Sequence, residues 1–394
     1  MSDPGLFRGP RDVAVVGGGI AGCTVAYELA RRGARVILLE QRVLAGAASG
    51  RNMGLLLNQV ESEVVRIMHR SLDVYRELDD GPVDFHLRRH QQLLLARDES
   101  QLGSTHRRAR ALAALGVRAR LLNAQEVRER VPGLALDAAG GELLEDAWAL
   151  DPAAATRAFA EAARSAGAAI RTHVRVSEVR VRSGRVEGLL TDDGPLAVDL
   201  VVIASGPWIR DLAPTVPVST GRGWLLRTDT LGFELPWIVE EMSWPDQDQL
   251  GRAARFPTLS EVAAGDHDRP AVGAFVIAPL PAGDALVGTS LSPSLREAVE
   301  GVDMPRQIAA RALAAAPGLA SAPIVAAWYG MRPMTPDGMP LAGTLEPAGL
   351  HVHGGHGSIG MMTAPATARW LADAICGADP APELAALAPA RFPA

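Results

Sequence analysis

Residues 13–40 read VAVVGGGIAGCTVAYELARRGARVILLE, and this stretch decides the fold. Its first four residues are an apolar run that ends at glycines, which predicts a buried parallel strand. The spacing Gly17-x-Gly19-x-x-Gly22 then leads the chain into a helix, and the last six residues predict a second strand. This order predicts a Rossmann-type unit, whose helix begins with unpaired backbone N–H groups that suit a diphosphate.

Each glycine of this motif has a physical reason. The first allows a tight turn, the second lets a pyrophosphate approach the backbone, and the third lets the helix pack closely on the strand. Glu40 ends the second strand, where a carboxylate can accept hydrogen bonds from ribose hydroxyls. Such an acid disfavours the 2′-phosphate of NADP and leaves NAD and FAD open. The predicted dinucleotide contacts are Gly17, Gly19, Ile20, Ala21, Gly22 and Glu40.

Composition excludes several classes of function. The chain has 394 residues and a net charge of −6 without a basic block, so nucleic acid is not an expected partner. The number and spacing of Cys23 and Cys376 suggest neither a metal site nor a redox pair. The first residues lack the apolar segment of a signal peptide, and no apolar run has the length of a transmembrane helix. We expect a soluble cytoplasmic protein with no metal.

A loop of small residues follows the second strand. Its segment 48–54 reads ASGRNMG, and small residues allow the backbone to lie close to a flat ligand. Together with the glycine motif and Glu40, this segment resembles the D-amino-acid oxidase/glycine oxidase superfamily of FAD-dependent oxidoreductases. In that family the loop runs beside the flavin ring and its ribityl chain. The resemblance implies FAD as the cofactor, with further contacts from Gln41, Ser49, Arg51, Asn52, Met53, Gly54 and Leu55.

Local signals continue through the middle of the chain. Asn123 followed by Glu126 is typical of a capping box, and Asp151 before a proline is typical of a helix N-terminus. Residues 200–204 are a predicted buried strand that ends on Ser-Gly at a turn. The family has a matching strand that returns to the FAD-binding sheet, with its Gly-x-Trp beside the cofactor. The predicted FAD contacts therefore also include Val176, Ser205, Gly206 and Trp208.

Residues 214–325 have a different hydrophobic pattern from the segments before them. Short alternating runs between Pro, Gly and Asp turns predict an antiparallel sheet. The family's substrate domain is such a sheet and covers one face of the flavin. The predicted fold class is therefore α/β, with a discontinuous Rossmann-type FAD-binding domain and an antiparallel-sheet α+β substrate-binding domain. We place the FAD-binding domain at 1–82, 150–213 and 326–394, and the substrate-binding domain at 83–149 and 214–325.

Arg332 is the prominent cation of the C-terminal part. It stands between an apolar strand and a rigid proline turn, where its guanidinium can bind a carboxylate with two hydrogen bonds. From residue chemistry alone, a structural salt bridge, for example to Asp337, is an equally good interpretation. The pattern W-x-G-x-R-P-x-T-x-D-x-x-P at 328–340 resembles glycine oxidase, in which that arginine holds the amino-acid carboxylate. The resemblance implies a substrate-binding Arg332, and Tyr329 is a further catalytic candidate.

A second glycine loop precedes the last long helix, which is predicted to begin near residue 363. Backbone donors at a positive helix end stabilise negative charge of the kind that gathers on reduced flavin. The family places this loop at that edge of the ring. His356 is a candidate acid or charge partner, and a structural histidine is the alternative. The predicted contacts are Gly355, His356, Gly357, Ser358, Ile359, Gly360 and Met361.

The sequence also differs from several members of the superfamily that it resembles. It has no cysteine at 329–330 and no histidine at 41–56, where related enzymes attach the flavin covalently, so we expect non-covalent FAD. All 39 basic residues are arginine, so the lysine that activates oxygen in sarcosine oxidases is missing. Phe275 is the aromatic residue in the stretch where glycine oxidases have a substrate-facing tyrosine, and Ser358 replaces an arginine.

These observations predict an enzyme that oxidises the C–N bond of glycine, a D-amino acid or an N-alkyl amino acid to an imine by hydride transfer to flavin N5. Arg332, His356 and Tyr329 are the catalytic candidates, and O₂ or another acceptor takes the electrons. One alternative is a 2-hydroxy acid dehydrogenase with His356 as the base. Another is an electron-relay flavin subunit of a larger complex. The missing lysine favours a dehydrogenase, and the oligomeric state stays open.

Overall fold

The computed structural model describes residues 11–58, 62–134, 136–241, 271–291, 304–379 and 381–392. Residues 242–270 and 292–303 of the predicted substrate-binding domain lie outside these ranges. Within them the strands are β1 Asp12–Val16, β2 Arg35–Glu40, β3 Leu55–Leu56, β4 Arg88–Ala96, β5 Ala119–Asn123, β6 Gly140–Ala149, β7 Ala169–Thr172, β8 Val176–Arg182, β9 Arg185–Thr191, β10 Gly194–Ala197, β11 Leu200–Ile203, β12 Ser219–Thr228, β13 Ile238–Glu241, β14 Ala271–Pro279, β15 Ala285–Leu291, β16 Ile324–Met334, β17 Leu341–Leu345 and β18 Leu350–Gly354.

The helices in the same ranges are α1 Ile20–Ala30, α2 Ser62–Arg76, α3 Glu99–Ala113, α4 Ala124–Arg130, α5 Pro152–Ser165, α6 Ile209–Leu212, α7 Met304–Ala315, α8 Gly360–Cys376 and α9 Pro382–Ala386. Two predicted caps are confirmed: Asn123 and Glu126 form a capping box, and Asp151 accepts a bond of 2.8 Å from the backbone N–H of Ala154. None of these described helices is long and apolar enough to cross a membrane.

The first sheet is the predicted Rossmann sheet. Its six strands run in the order β17-β18-β11-β1-β2-β7, and all neighbours are parallel except the pair β17–β18. The central strand β1 is buried on both faces, because α1 and α5 pack on one side and a separate apolar cluster covers the other. Double burial explains the continuous apolar run that the sequence shows there.

Loops after three parallel strands leave the same edge of this sheet. They are the first glycine loop after β1, the turn at Ser205 after β11, and the second glycine loop after β18. In open parallel sheets, ligands bind at the carboxyl ends of the strands. The fold therefore gathers three segments that are far apart in sequence at one ligand-binding edge.

The second large sheet has nine strands in the order β16-β12-β15-β14-β13-β4-β6-β3, with β5 paired to β6. The antiparallel pairing predicted for 214–325 is confirmed among the described strands of that segment, whereas β13 runs parallel to β4 of residues 88–96. These two strands come from distant segments, so no hairpin forces them to be antiparallel. The strand β16 belongs to this sheet, although the predicted FAD-binding domain begins again at residue 326. The domain boundaries stay a prediction.

A buried charge cluster fixes α1 against α8. Glu28 is fully buried on α1, and its carboxylate pairs with Arg32, which lies just after the same helix, and with Arg369 on α8. Arg369 also makes two bonds of 2.7 and 2.8 Å to Glu77, which follows α2. Because each buried charge has a partner of opposite sign, the cluster joins three helices without an uncompensated charge among these residues.

Candidate active site

The first glycine loop has the close contacts that its sequence predicts. Gly17 has a φ of +117°, and a Cβ there would lie 2.5 Å from the carbonyl oxygen of Ala204. A Cβ on Gly22 would overlap the carbonyl oxygen of Gly17. Only glycine therefore allows α1 to begin this close to β1 and to the end of β11.

Side-chain oxygens accept hydrogen bonds from the backbone N–H groups of this loop. The Oγ of Ser49 accepts from the N–H of Ile20 at 2.9 Å, and Glu40 Oε2 accepts from the N–H of Gly18 at 2.7 Å. The other oxygen of Glu40 accepts from the N–H of Arg42. The structure thus brings the predicted residues Glu40 and Ser49 to the opening of α1, where the donor set suits the oxygens of a diphosphate.

Asn52 orders the loop that follows β2. Its amide donates to the carbonyls of Ala48 and Ser49 at 3.0 and 3.1 Å, and its Oδ1 accepts from the N–H of Gly54 at 2.8 Å. Gly54 has a φ of +68°, and a Cβ there would overlap the carbonyl of Leu150. The loop therefore has a defined path, while Gln41 near its start is exposed to solvent.

This loop lies against the nine-stranded sheet. The indole N–H of Trp328 donates to the carbonyl of Arg51 at 3.1 Å, and the Arg51 guanidinium donates to the carbonyl of Tyr329 at 3.2 Å. The sulfur of Met53 lies 3.5 Å from where a Cβ of Gly288 on β15 would be. Leu55 continues into β3 at the far edge of the same sheet. The predicted cofactor loop thus joins the two sheets.

The turn after β11 has one buried polar atom that needs a partner. The Oγ of Ser205 is buried and has no hydrogen-bond partner among the described residues. Gly206 has a φ of +58° and begins a short helical turn that ends at Trp208 and packs against β16. Val176 is buried in the apolar cluster under the same sheet. Since buried hydroxyls are normally bonded, Ser205 is a candidate ligand contact.

The second glycine loop is bonded to the strand that carries Arg332. The N–H of Gly357 donates to the carbonyl of Pro333 at 2.8 Å, and a Cβ on Gly355 would lie 2.6 Å from Thr335. The helix α8 begins at Gly360, three residues earlier than predicted, and Met361 is buried in its first turn. Arg332 and this loop therefore have a fixed relation to each other.

Two buried histidines, one on β18 and one in this loop, hold the loop in place. The rings of His353 and His356 meet edge to face at 5.0 Å between centroids. His353 bonds the carbonyl of Ala21 through Nδ1 at 2.9 Å and Thr367 Oγ1 through Nε2 at 2.8 Å. Burial, with the bond to Ala21 opposing it, lowers the pKa of His353 to about 4. The side chain is therefore neutral at neutral pH and ties β18 to the first turn of α1.

The protonation of His356 follows from its neighbours. Thr363 Oγ1 donates to the carbonyl of Ile359 at 2.8 Å, so at 3.0 Å it accepts from Nδ1–H of His356. Burial, and to a lesser degree His353, holds the pKa of His356 well below its ordinary value. Its Nε2 is then a lone-pair acceptor, and it has no partner among the described residues. This favours the structural interpretation of His356 over a proton-donating acid.

Arg332 is a partly buried cation on β16. Its Nη1 donates to the carbonyl of Ser290 at 2.9 Å and its Nη2 to Thr289 Oγ1 at 3.1 Å. Burial lowers the pKa of its guanidinium to about 10, so the group stays charged at neutral pH. Asp337, the alternative salt-bridge partner, instead binds Arg391 through two bonds of 2.7 and 3.2 Å. Both partners of Arg332 named here are neutral.

Strand alternation separates Arg332 from Tyr329. Directly paired residues share a face, so Trp328, Gly330 and Arg332 lie on the face that the 48–54 loop covers. Tyr329 lies on the opposite face, where its ring meets Trp224 at 5.2 Å between centroids and the guanidinium of Arg222 at 4.8 Å. The structure therefore does not bring the side chain of Tyr329 to Arg332, and this geometry gives its predicted catalytic role no support.

The same alternation gives Phe275 a different role. Phe275 is fully buried in the cluster that contains Ile308 and Ala312 of α7, on the far side of the sheet from Arg332. Val276 pairs with Gly288, which pairs with Leu225, so Val276 faces the side of Arg332. The aromatic residue of this stretch therefore lies in the core and not on the face of Arg332, because one residue along a strand reverses the face.

Sequence reasoning missed the residues around the guanidinium. Gly223 on β12 lies under it, and Thr289 and Ser290 accept its hydrogen bonds from β15. The only local signal was a polar Thr-Ser pair at the end of an apolar strand. Ser358 is exposed at the tip of the second loop. Among the described residues, no group of three His, Cys, Asp or Glu side chains is placed to hold a metal ion.

Comparison with known proteins identifies the family and the fold. The model of the FAD dependent oxidoreductase family (DAO) matches residues 12–374. The chain is 28% identical to a glycine oxidase of Geobacillus kaustophilus over 92% of both chains, and 27% identical to a D-amino acid dehydrogenase of Cereibacter sphaeroides over 96% of this chain and 95% of that one. The crystal structure of glycine oxidase from Geobacillus kaustophilus superposes with a TM-score of 0.82 at 25% identity, over 98% of this chain and 100% of that chain. The chain belongs to the FAD-dependent oxidoreductase family.

Proposed function

We propose that this enzyme oxidises the C–N bond of an amino acid whose carboxylate is bound by Arg332. The observation that carries the proposal is a charged guanidinium on the sheet face that the 48–54 loop covers, with two neutral partners. A planar fork of this kind binds a carboxylate bidentately and fixes its orientation. The names of the relatives, glycine oxidase and D-amino acid dehydrogenase, support an amino-acid substrate.

FAD fits the residues that surround this face. The glycines at the start of α1 leave no room for side chains, the backbone N–H groups there donate to oxygen acceptors, and the hydroxyl of Ser205 needs a partner. We propose non-covalent FAD in a domain formed by 1–82, 150–213 and 326–394, with 83–149 and 214–325 as the substrate-binding domain. The proposed contacts are Gly17, Gly19, Ile20, Ala21, Gly22, Glu40, Gln41, Ser49, Arg51, Asn52, Met53, Gly54, Leu55, Val176, Ser205, Gly206, Trp208, Gly355, His356, Gly357, Ser358, Ile359, Gly360 and Met361.

The protein's own part in the reaction is orientation. When bound, FAD supplies the acceptor for the two electrons and the hydrogen that leave Cα. Arg332 holds the substrate by its carboxylate, which restricts the directions in which the Cα–H bond can point. The amine is neutral when the bond breaks, and the resulting imine hydrolyses in water. Neutral His356 at the second loop adds no positive charge and keeps that loop in place through Thr363.

The hydroxy-acid alternative needs a stronger base than His356. Oxidation of C–OH requires removal of the hydroxyl proton, and His356 was the candidate base. Its Nδ1 carries the hydrogen that Thr363 accepts, so Nε2 would be the base, and the low pKa of the ring makes that base weak. A base that weak removes an alcohol proton poorly. C–N oxidation makes no such demand, because the substrate ammonium loses its proton to solvent and the neutral amine then reacts.

Two measurements test the proposal. Anaerobic addition of glycine, D-amino acids and N-methyl amino acids should bleach the visible flavin spectrum, whereas 2-hydroxy acids should not. Arg332→Ala should remove about 2–5 kcal/mol of transition-state binding free energy, as removal of one partner of a buried charged contact does. The loss is measured as a decrease in kcat/KM. Arg391→Ala, whose guanidinium binds Asp337, is the matched control and should keep kcat/KM.

The outcomes separate the alternatives. A flavin that hydroxy acids bleach faster than amino acids would favour the hydroxy-acid dehydrogenase. A flavin that no small substrate bleaches would favour the electron-relay subunit. Unchanged kcat/KM in Arg332→Ala would remove the carboxylate-binding role. Comparing O₂ with a dye as the acceptor for the reduced enzyme decides between oxidase and dehydrogenase.

A further inference from the structure

We propose that Gly223, Thr289 and Ser290 form a cradle that sets the direction of the Arg332 guanidinium, with Thr289 as a positioning residue for substrate binding. This rests on the proposed carboxylate-binding role of Arg332. No step of the predicted chemistry involves these three residues. They come from two strands, β12 and β15, that neighbour each other in the nine-stranded sheet.

Gly223 is the floor of the cradle. It pairs with Gly330, two residues before Arg332 on β16, so a side chain at 223 would lie on the same face as the guanidinium. A Cβ there would overlap the Cζ, Nη1 and Nη2 atoms of Arg332. The missing side chain is therefore what allows the arginine to lie across β12 and reach β15.

Thr289 and Ser290 are the walls. The Ser290 carbonyl accepts from Nη1 at 2.9 Å and Thr289 Oγ1 accepts from Nη2 at 3.1 Å, so both terminal nitrogens are fixed. The Thr289 hydroxyl also lies 3.4 Å from the Ser290 carbonyl, to which it donates, so its lone pair is directed at Arg332. A guanidinium has five N–H donors, and these two bonds leave the others for a carboxylate.

Ser290 is itself tied to the floor. Its Oγ accepts from the backbone N–H of Trp224, the residue after Gly223, at 3.0 Å. The bond links β15 to β12 beside the guanidinium and holds floor and walls together. Because two fixed acceptors remove the rotational freedom of a planar fork, the remaining donors of Arg332 point in one direction before the substrate arrives.

The test measures carboxylate binding to the FAD-loaded enzyme. Acetate is the probe, and its Kd is read from the shift it causes in the flavin absorbance, without turnover. Thr289→Val removes the acceptor at nearly constant volume and should raise the Kd of acetate and the KM of the amino acid about tenfold, with a smaller change in kcat. Thr289→Ser keeps the hydroxyl and should restore both constants to within about twofold of wild type.

The floor is tested with a matched pair of glycines. Gly223→Ala should raise the Kd of acetate at least about a hundredfold, because the methyl group displaces the guanidinium. Gly232→Ala is the control, since a Cβ at 232 meets nothing within 4 Å and its φ is not in the left-handed region. Ethylamine, which has no carboxylate, should be oxidised at the same rate by wild type and Thr289→Val.

Two results distinguish the cradle from the function on which it rests. If Arg332→Ala leaves the Kd of acetate unchanged, Arg332 is not the carboxylate anchor and the proposed function is wrong. If Arg332→Ala weakens acetate binding while Thr289→Val and Gly223→Ala match wild type, the anchor is right and the cradle is wrong. Equal losses in Thr289→Ser and Thr289→Val would also overturn the cradle, because the hydroxyl is then irrelevant.

Discussion

The two glycine loops occupy the same edge of the six-stranded sheet but are stabilised in different ways. In the first loop, side chains from the segment after β2 hold the backbone donors: Glu40 binds the amide of Gly18, and Ser49 binds the amide of Ile20. In the second loop, Gly357 is bonded to the backbone of Pro333, and Ile359 at the cap of α8 makes no side-chain capping bond.

This difference in stabilisation points to a different role for each of the two loops. A small rotation of these side chains would free the backbone N–H groups for the oxygens of a ligand. The first loop is therefore ready to bind an anion. A backbone bond to β16 cannot be exchanged in this way, so the second loop keeps its place relative to Arg332. We infer that the first loop contributes mainly to cofactor affinity, whereas the second aligns the cofactor edge with the substrate anchor.

The largest expected effect concerns acid and the two buried histidines of β18, the strand that leads into the second loop. Burial holds the pKa of His351 and of His353 at about 4, compared with about 6.5 in the unfolded chain. Between these values the unfolded chain binds more protons, so stability rises with pH in this window and is lost as the pH falls through it. Lowering the pH from 6.5 to 4 should cost about 3 kcal/mol of unfolding free energy per histidine. Chemical denaturation at each pH measures this loss.

Histidine variants identify the source of that pH dependence. His353→Gln keeps a hydrogen-bonding side chain but cannot titrate, so the stability loss between pH 6.5 and 4.5 should shrink by the share of one histidine, while His351 and His356 still contribute. His173→Asn, at an exposed position, is the control and should leave the pH profile unchanged. A profile that is flat in wild type would contradict the assignment, because the ordinary carboxylate range lies mostly below this window.

The next effect compares the two glycines that open the helices. A Cβ on Gly22 would overlap the carbonyl of Gly17, whereas a Cβ on Gly360 would meet His356 at 3.6 Å, an ordinary contact. Gly22→Ala should therefore lower the unfolding free energy by about 1–3 kcal/mol and weaken FAD binding. Gly360→Ala should change the unfolding free energy by less than about 0.5 kcal/mol. Thermal unfolding and FAD titration of the two variants provide the comparison, and equal losses would show that the packing of the first loop is not special.

Much of the fold was predictable because the signals were local. The apolar run before Gly17, the capping box of Asn123 and the proline after Asp151 each act within a few residues, and each predicted element is present. The FAD cofactor and the family were also predicted, from motifs that are continuous in sequence. The parallel pair β13–β4 was not, since it joins segments more than a hundred residues apart.

The candidate site was less predictable because it depends on which face a strand residue occupies. Arg332 was identified from its segment, but Tyr329 three residues earlier and Phe275 on β14 point to the opposite side. A shift of one residue reverses the face, and no local signal fixed it here. Gly223 and Thr289 could be found only from the pairing of β12 with its two neighbours.

The smallest effect compares one serine from each loop region. Ser49→Ala leaves the amide of Ile20 without its acceptor and should cost about 1 kcal/mol of unfolding free energy, as loss of a helix-capping side chain does. Ser49→Thr should restore it. Ser358→Ala removes an exposed hydroxyl at the second loop and should fall within about 0.5 kcal/mol of wild type. If saturating FAD reduces the difference between Ser49→Ala and wild type, the cofactor has taken over the amide, as an exchangeable first loop requires. If the difference instead grows with FAD, Ser49 contacts the cofactor as well as the amide, and the side chain is not displaced on binding.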